Sequence, residues 1–334
     1  MACICGLRSE IDLKQHMLHI GADRNMRRYL ELFLVCIVAL SSYQFYYVWW
    51  VWKGFSYLEL VAYSLESRPF VYRLLVPFIS RLLEQLTGIH AVYCMIFLVI
   101  LTSSGLYYAL RYLYTAFVVD DEYAGMFSFI GCELTFLLIL IGVKVYDIAT
   151  VMFFALALGL LARGRLGEYY LLFVIASINR ETTFLLILFF MVYFYNKIPF
   201  RQYCFGVIYQ VLTFLIIKIA IMDAYSSVPG TPLQWRPMEV IKDYVDKPVW
   251  FAVVMFIFFS AFIVIALRRW NDKPLFLRVA FGTIFPVQLI LHIFAGYAYE
   301  IRVFAEVFPV LLLLCAGSIQ AIHWQPAFQQ ETAV

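Results

Sequence analysis

The stretch Tyr169-Tyr-Leu-Leu-Phe-Val-Ile-Ala-Ser-Ile178 runs into Asn179-Arg180-Glu181-Thr182, and then into Thr183-Phe-Leu-Leu-Ile-Leu-Phe-Phe-Met-Val-Tyr-Phe-Tyr195. Two apolar runs thus meet at four polar residues. Either one helix carries an Arg-Glu pair at mid-membrane, or two short helices turn there. Charge asymmetry decides between them, because the two options invert the orientation of everything downstream. With the turn, Arg163 and Arg165, Lys197 and Arg201, and Arg268, Arg269 and Lys273 share a side with Arg8, Lys14, Arg24, Arg27 and Arg28 at the N-terminus. A continuous helix would also hold Arg180 at mid-bilayer, at a cost of about 2.5–3.5 kcal/mol unless it is paired or faces water. The hairpin is the expectation. Tyr169 to Ile178 is only ten residues, about 15 Å of helix. The turn is therefore expected at the floor of a polar cavity, where irregular backbone at membrane depth is tolerated.

Outward from this stretch the chain keeps the same character. Of 334 residues, 64% are apolar and 14% charged, against roughly a quarter charged in a soluble domain. Apolar runs near the length of about twenty residues needed to cross a bilayer recur at Leu30–Trp52, His90–Val118, Gly125–Val143, Tyr146–Ala162, Tyr203–Met222, Trp250–Leu267, Leu275–Tyr297 and Val303–Ile322. The predicted fold is all-α, a polytopic transmembrane helical bundle of about nine to eleven segments, some short or re-entrant. Residues 1–28 read as a cytoplasmic tail, 29–322 as one membrane domain and 323–334 as a second cytoplasmic tail. Within the domain, 53–88 and 223–247 form outer loops. The formal charge of +3 fits a positive-inside bias and gives no argument for nucleic acid. Cys36, Cys94, Cys132, Cys204 and Cys315 read as small apolar residues within spans. Cys3, Cys5, His16 and His19 lack the spacing of a zinc site. Asp120-Asp121-Glu122 reads as a solvated cytoplasmic turn, and the sequence requires no metal.

The polar motifs concentrate in the expected outer segments. The first outer loop carries Glu59, Glu66, Arg68, Tyr72 and Arg73. Leu74, Leu75, Phe78, Ile79, Leu82, Leu83 and Leu86 then follow the helical i, i+3/i+4 pattern, with Arg73, Arg81, Glu84 and Gln85 opposite, as in an amphipathic helix at the membrane surface. Arginines on this side break the positive-inside trend, which is understandable if Arg68 or Arg73 holds an anion such as a lipid phosphate. The plainer alternative is snorkelling. After Lys144, Asp147 opens a span, as a helix cap or as a partner of Arg180. Tyr297-Ala-Tyr299-Glu300-Ile-Arg302 separates the last two spans, and Arg302 is a candidate partner for Glu181. The long loop with Pro229-Gly-Thr-Pro232 suits a lid or binding loop. Glu133 and His292 read as packed residues.

Four motifs in order, Pro69-Phe-Val-Tyr72-Arg73-Leu-Leu-Val-Pro77, Tyr146-Asp147-Ile-Ala149, Ile178-Asn179-Arg180-Glu181-Thr182 and Tyr299-Glu300-Ile-Arg302-Val-Phe304, resemble an uncharacterised group of bacterial polytopic membrane proteins. More distantly, the organisation resembles the type C (GT-C) glycosyltransferases. That resemblance implies transfer of a sugar from a polyprenyl-phosphate donor on the non-cytoplasmic face of a bacterial inner membrane, in envelope glycan assembly. It implies Glu59 or Glu66 as the base, with Asp147 a third candidate catalytic carboxylate. Arg68, Tyr72, Arg73, Asn179, Arg180, Glu181, Glu300 and Arg302 become candidates for holding lipid phosphate. Inverting transfer needs a carboxylate to take the acceptor proton and cations to receive charge on the leaving phosphate. A divalent cation is compatible with that chemistry. The first loop departs from the type C pattern in having no Asp-x-Asp or Glu-x-Asp pair. A non-catalytic component of a polysaccharide pathway is a second expectation, and a lipid-linked substrate flippase a third. The sequence shows no internal repeat of the kind secondary transporters carry.

Overall fold

The computed structural model describes residues 26–44, 46–47, 55–118, 123–139, 146–231, 249–295, 301–319 and 324. Among these the chain forms helices and no strand. Residues 1–25, Asp120-Asp121-Glu122, Lys144, residues 232–247, Glu300 and nearly all of 323–334 lie outside the described residues. In chain order the helices are α1 (26–44), α2 (Phe55–Ala62), α3 (Leu75–Thr87), α4 (Ala91–Tyr114), α5 (Ala124–Ile139) and α6 (Asp147–Ala162). They continue as α7 (Leu166–Asn179), α8 (Phe184–Phe194), α9 (Phe200–Ala224), α10 (Val249–Leu267), α11 (Leu275–Ala295) and α12 (Phe308–Ile319). Three of them, over Ala91–Tyr114, Phe200–Ala224 and Leu275–Phe294, are long and apolar enough to cross a membrane. These mark a membrane protein. Five other apolar helices are shorter, at 10–17 residues.

The segment that decides the topology folds as a hairpin. Tyr169, early in α7, stacks on Phe190, late in α8, with ring centroids 6.1 Å apart and planes 3° from parallel. One continuous helix would hold these residues about 30 Å apart. The reversal is made by Arg180, in extended conformation, and a short turn at Glu181–Thr183. Thr183 Oγ1 donates to the Ala176 carbonyl at 2.9 Å and closes the end of α7. This helix has 14 residues, longer than the ten-residue run because Leu166-Gly-Glu168 and Asn179 join it, so about 21 Å of helix reaches the turn.

α9 lies close against the hairpin. Gly206 permits this, because a Cβ there would sit 2.9 Å from the Phe190 ring and also strike the Tyr170 hydroxyl. On the same face, Gln210 accepts a hydrogen bond from Tyr169 Oη at 2.6 Å. The opposite stripe of α9, Leu212, Leu215, Ile216 and Ile219, is exposed, as suits a helix bordered by lipid.

Neighbouring contacts fix the relative directions of the other helices. Gly105 of α4 meets Met152 of α6, and Tyr112 meets Gly159, so the two run parallel. Phe127 of α5 packs on Tyr114 with centroids 4.8 Å apart, while Gly131 faces Leu110, so α5 runs antiparallel to α4. At the end of the bundle away from the hairpin turn, Lys273 donates to Ser318 Oγ at 2.7 Å and to the Ala266 carbonyl. These contacts tie α10 to α12.

Two expectations are corrected. The last span, expected from Val303, begins at Phe308; Ile301–Phe304 instead form a short turn. Arg302 within this turn and Glu306 just after it are only 4% and 0% exposed. Irregular backbone is sustained there because these buried charges have partners in the bundle. The second correction concerns Arg73, which does not line the polar face of the amphipathic helix. It precedes α3, is 8% exposed, and points into the bundle.

Candidate functional site

The ends of α6, α7 and α9, the turn at 181–183, the approach to α3 and the turn before α12 converge at one end of the bundle. Asp147, the first residue of α6, is fully buried. Its Oδ1 lies 3.0 Å from Arg180 Nη1 and its Oδ2 lies 2.9 Å from Arg302 Nη1. Capping is therefore not its main task. A carboxylate held between two guanidiniums in a low-dielectric interior is a charge-assisted pairing that fixes all three side chains.

A second carboxylate completes this layer. Glu306 is fully buried, with Oε1 3.4 Å from Arg180 Nη1. It accepts hydrogen bonds from Thr182 Oγ1 at 2.6 Å and from Gln288 Nε2 at 2.6 Å. Gln288 lies two residues beyond Pro286, which stands in the interior of α11 and removes one of its backbone hydrogen bonds. Asn179 Nδ2 donates to Thr150 Oγ1 at 2.9 Å, joining the end of α7 to α6.

Above this layer lies a less saturated group. Arg73 Nη2 is 2.8 Å from Glu181 Oε1, and its guanidinium carbon stands 4.7 Å from the Tyr146 ring centre and 5.4 Å from that of Phe70. Among the described residues Arg73 Nε and Nη1 are buried without hydrogen-bond partners, as are Glu181 Oε2 and the hydroxyls of Tyr72 and Tyr146. The side chain of Glu181 keeps 41% of its surface accessible, in contrast to the buried Arg73 it holds. Lys218, on the inner edge of α9, has its Nζ buried over the Phe214 ring, 5.8 Å from its centre, without a hydrogen-bond partner among the described residues and within electrostatic reach of Glu181 and Arg73. Glu66 is within electrostatic reach of Tyr146. Tyr46, beyond the end of α1, interacts electrostatically with Asp147, Tyr146 and Arg302.

Of the candidates from sequence, Arg73, Asp147, Asn179, Arg180, Glu181 and Arg302 come together. Tyr72 adjoins them through Ile221 of α9. Arg68 sits at the rim, where its backbone N donates to the Pro229 carbonyl at 3.0 Å and Gly230 is close-packed on it. Glu66 comes within electrostatic reach of Tyr146, as above. Glu59 belongs elsewhere, with its carboxylate 3.5 Å from His90 Nε2, both side chains substantially exposed. Glu300 lies outside the described residues. The pairing of Arg180 with Asp147 follows the expectation, whereas Glu181 takes Arg73 and leaves Arg302 to Asp147.

Sequence reasoning misses Glu306, Gln288 and Lys218. Each is a lone polar residue in an apolar run, a signal that marks burial but names no partner. Among the described residues no three His, Cys, Asp or Glu side chains gather in a group suited to a metal ion.

The site is thus a buried ion network at one end of a helical membrane protein, with two cationic groups left short of partners. No known protein family, curated protein or solved structure matches the chain.

Proposed function

We propose that the protein is a multi-span transferase of the type C kind, with nine to eleven membrane segments. It takes a sugar from a polyprenyl-phosphate donor at the end of the bundle that holds the ion network. The observation that carries the reading is Arg73, buried, anchored at one nitrogen by Glu181, with its two other nitrogens lacking hydrogen-bond partners among the described residues. A guanidinium held this way suits a phosphate oxygen. The proposed orientation has this end facing away from the cytoplasm of a bacterial inner membrane. It is supported by Arg163, Arg165, Lys197, Arg201, Arg268 and Arg269, which cluster at the other end, where the positive-inside bias puts the cytoplasm.

In the proposed reaction the acceptor hydroxyl gives its proton to Glu66 and its oxygen bonds to the anomeric carbon. The bond from that carbon to the phosphate oxygen breaks, leaving its electron pair on the phosphate, where Arg73 stabilises the charge. Asp147 serves instead as a positioning residue, since both its oxygens are engaged by arginines. The test uses purified protein with a polyprenyl-phosphate-linked sugar and a glycan acceptor. Glu66→Gln is expected to lower turnover by roughly a hundredfold or more, the scale of a lost general base, with the fold intact. Full activity in that variant removes Glu66 from the role. A non-catalytic phosphate-binding component of the same pathway is favoured by one observation, the saturation of Asp147 and Glu306 by protein partners. It predicts donor binding without turnover of any acceptor.

A further inference from the structure

Lys218 is an ionisable residue in an otherwise apolar stretch of α9, a helix long enough to cross a membrane. An ammonium at that depth is costly unless it has a partner or a task. Among the described residues its Nζ has no hydrogen-bond partner; it stands 5.8 Å from the centre of the Phe214 ring, a contact that leaves its charge unneutralised, and its charged neighbours are Glu181 and Arg73. The helix places Lys218 at the seam between an inward stripe, with Phe214 and Ile221 at i−4 and i+3, and the exposed stripe carrying Leu215 and Ile219.

Charge at the site can be compared layer by layer. In the deeper layer Arg180 and Arg302 are matched by Asp147 and Glu306. In the outer group two cations, Arg73 and Lys218, face one carboxylate, Glu181. Glu66 and Arg68, at the rim, bear one charge of each sign. Among the described residues the outer group therefore carries one positive charge in excess, beside two tyrosine hydroxyls, Tyr72 and Tyr146, that have no hydrogen-bond partner there.

We infer that Lys218 and Arg73 together form a subsite for a single-charged phosphodiester on a membrane lipid. The phosphate sits between the two cations and the lipid chain lies along the exposed stripe of α9. One negative charge neutralises the group, whereas a diphosphate would leave it in excess of negative charge and bind less well. A phosphodiester can come from a polyprenyl-phosphate-linked sugar or from a phospholipid headgroup. The first source rests on the transferase reading above and the second does not.

The experiment is native mass spectrometry of the purified full chain, titrated separately with phosphatidylglycerol, a short-chain polyprenyl phosphohexose and farnesyl diphosphate. Saturable binding of a phosphodiester is expected, tighter than that of the diphosphate. Lys218→Met, which keeps chain length and suits an apolar helix, is expected to weaken it by roughly tenfold, one charge-assisted contact. Lys218→Arg is expected to retain it. Unchanged binding in a folded Lys218→Met variant overturns the inference, as does preference for the diphosphate. Binding of the phosphohexose assigns the subsite to a donor, and binding of phosphatidylglycerol alone assigns it to a bilayer lipid. Phosphodiester binding without sugar transfer keeps this inference and removes the transferase reading.

Discussion

At the scale of the residue, two carboxylates on the same end of the protein have opposite energetic weight. Asp147 is fully buried between Arg180 and Arg302. Asp147→Asn leaves two guanidiniums facing each other without a counter-charge, so we expect a loss of about 3–5 kcal/mol, as for other broken buried pairs. Glu59 and His90 are 41% and 38% exposed and 3.5 Å apart, so Glu59→Gln is expected to cost no more than about 1 kcal/mol. Thermal unfolding in detergent measures both, and equal losses would contradict the assignment of Asp147 to the structural centre. The sequence makes Asp147 and Arg180 legible as candidates because a polar residue in an apolar run must find a partner. It does not reveal which partner. Glu181 and Arg302 both look free to pair along the chain, and only the turn at Ile301–Phe304 brings Arg302 to Asp147 and leaves Glu181 to Arg73.

At the scale of the element, the hairpin is the feature on which the site depends. Arg180 and Glu181 reach different layers of the network because the chain reverses between α7 and α8. The reversal is legible from charge asymmetry alone, since the basic loops fall on one side only if it occurs. Helix ends are less so. α7 begins earlier than its apolar run because Arg165 pairs with Glu168 within its first turn, and α12 begins later because its expected first turn is diverted to the network. The seating of α9 is the most testable packing claim. Gly206→Val is expected to destabilise by about 1–3 kcal/mol through overpacking against Phe190 and Tyr170. Gly282→Ala, where nothing lies within 4 Å, is expected to be neutral or to stabilise by up to about 1 kcal/mol. Equal melting temperatures for the two variants would contradict the close approach of α9.

At the scale of the whole molecule, the ion network gathers at one end because an even number of helix reversals returns the chain there. The positions after α7, after α9 and before α12 share that end, and the loops carrying Arg165 and Arg201 share the other. Membrane residence is legible from composition, and the all-helical fold from the lengths of the apolar runs. The chemistry is less legible, because Lys218 and Glu306 acquire their meaning from neighbours far along the chain, some of them more than a hundred positions away. Glu306, for example, is held by Thr182, and Lys218 adjoins Arg73. The central claim is that Asn179 to Thr182 is a reversal. The most direct measurement is labelling of single cysteines at Arg165, Arg201 and Ser226, each in a background without the native cysteines, by an impermeant thiol reagent added outside intact cells. The account predicts that the positions 165 and 201 are both protected and 226 is labelled. Labelling of 165 and 201 from opposite sides of the membrane would mean one continuous helix, and would contradict it.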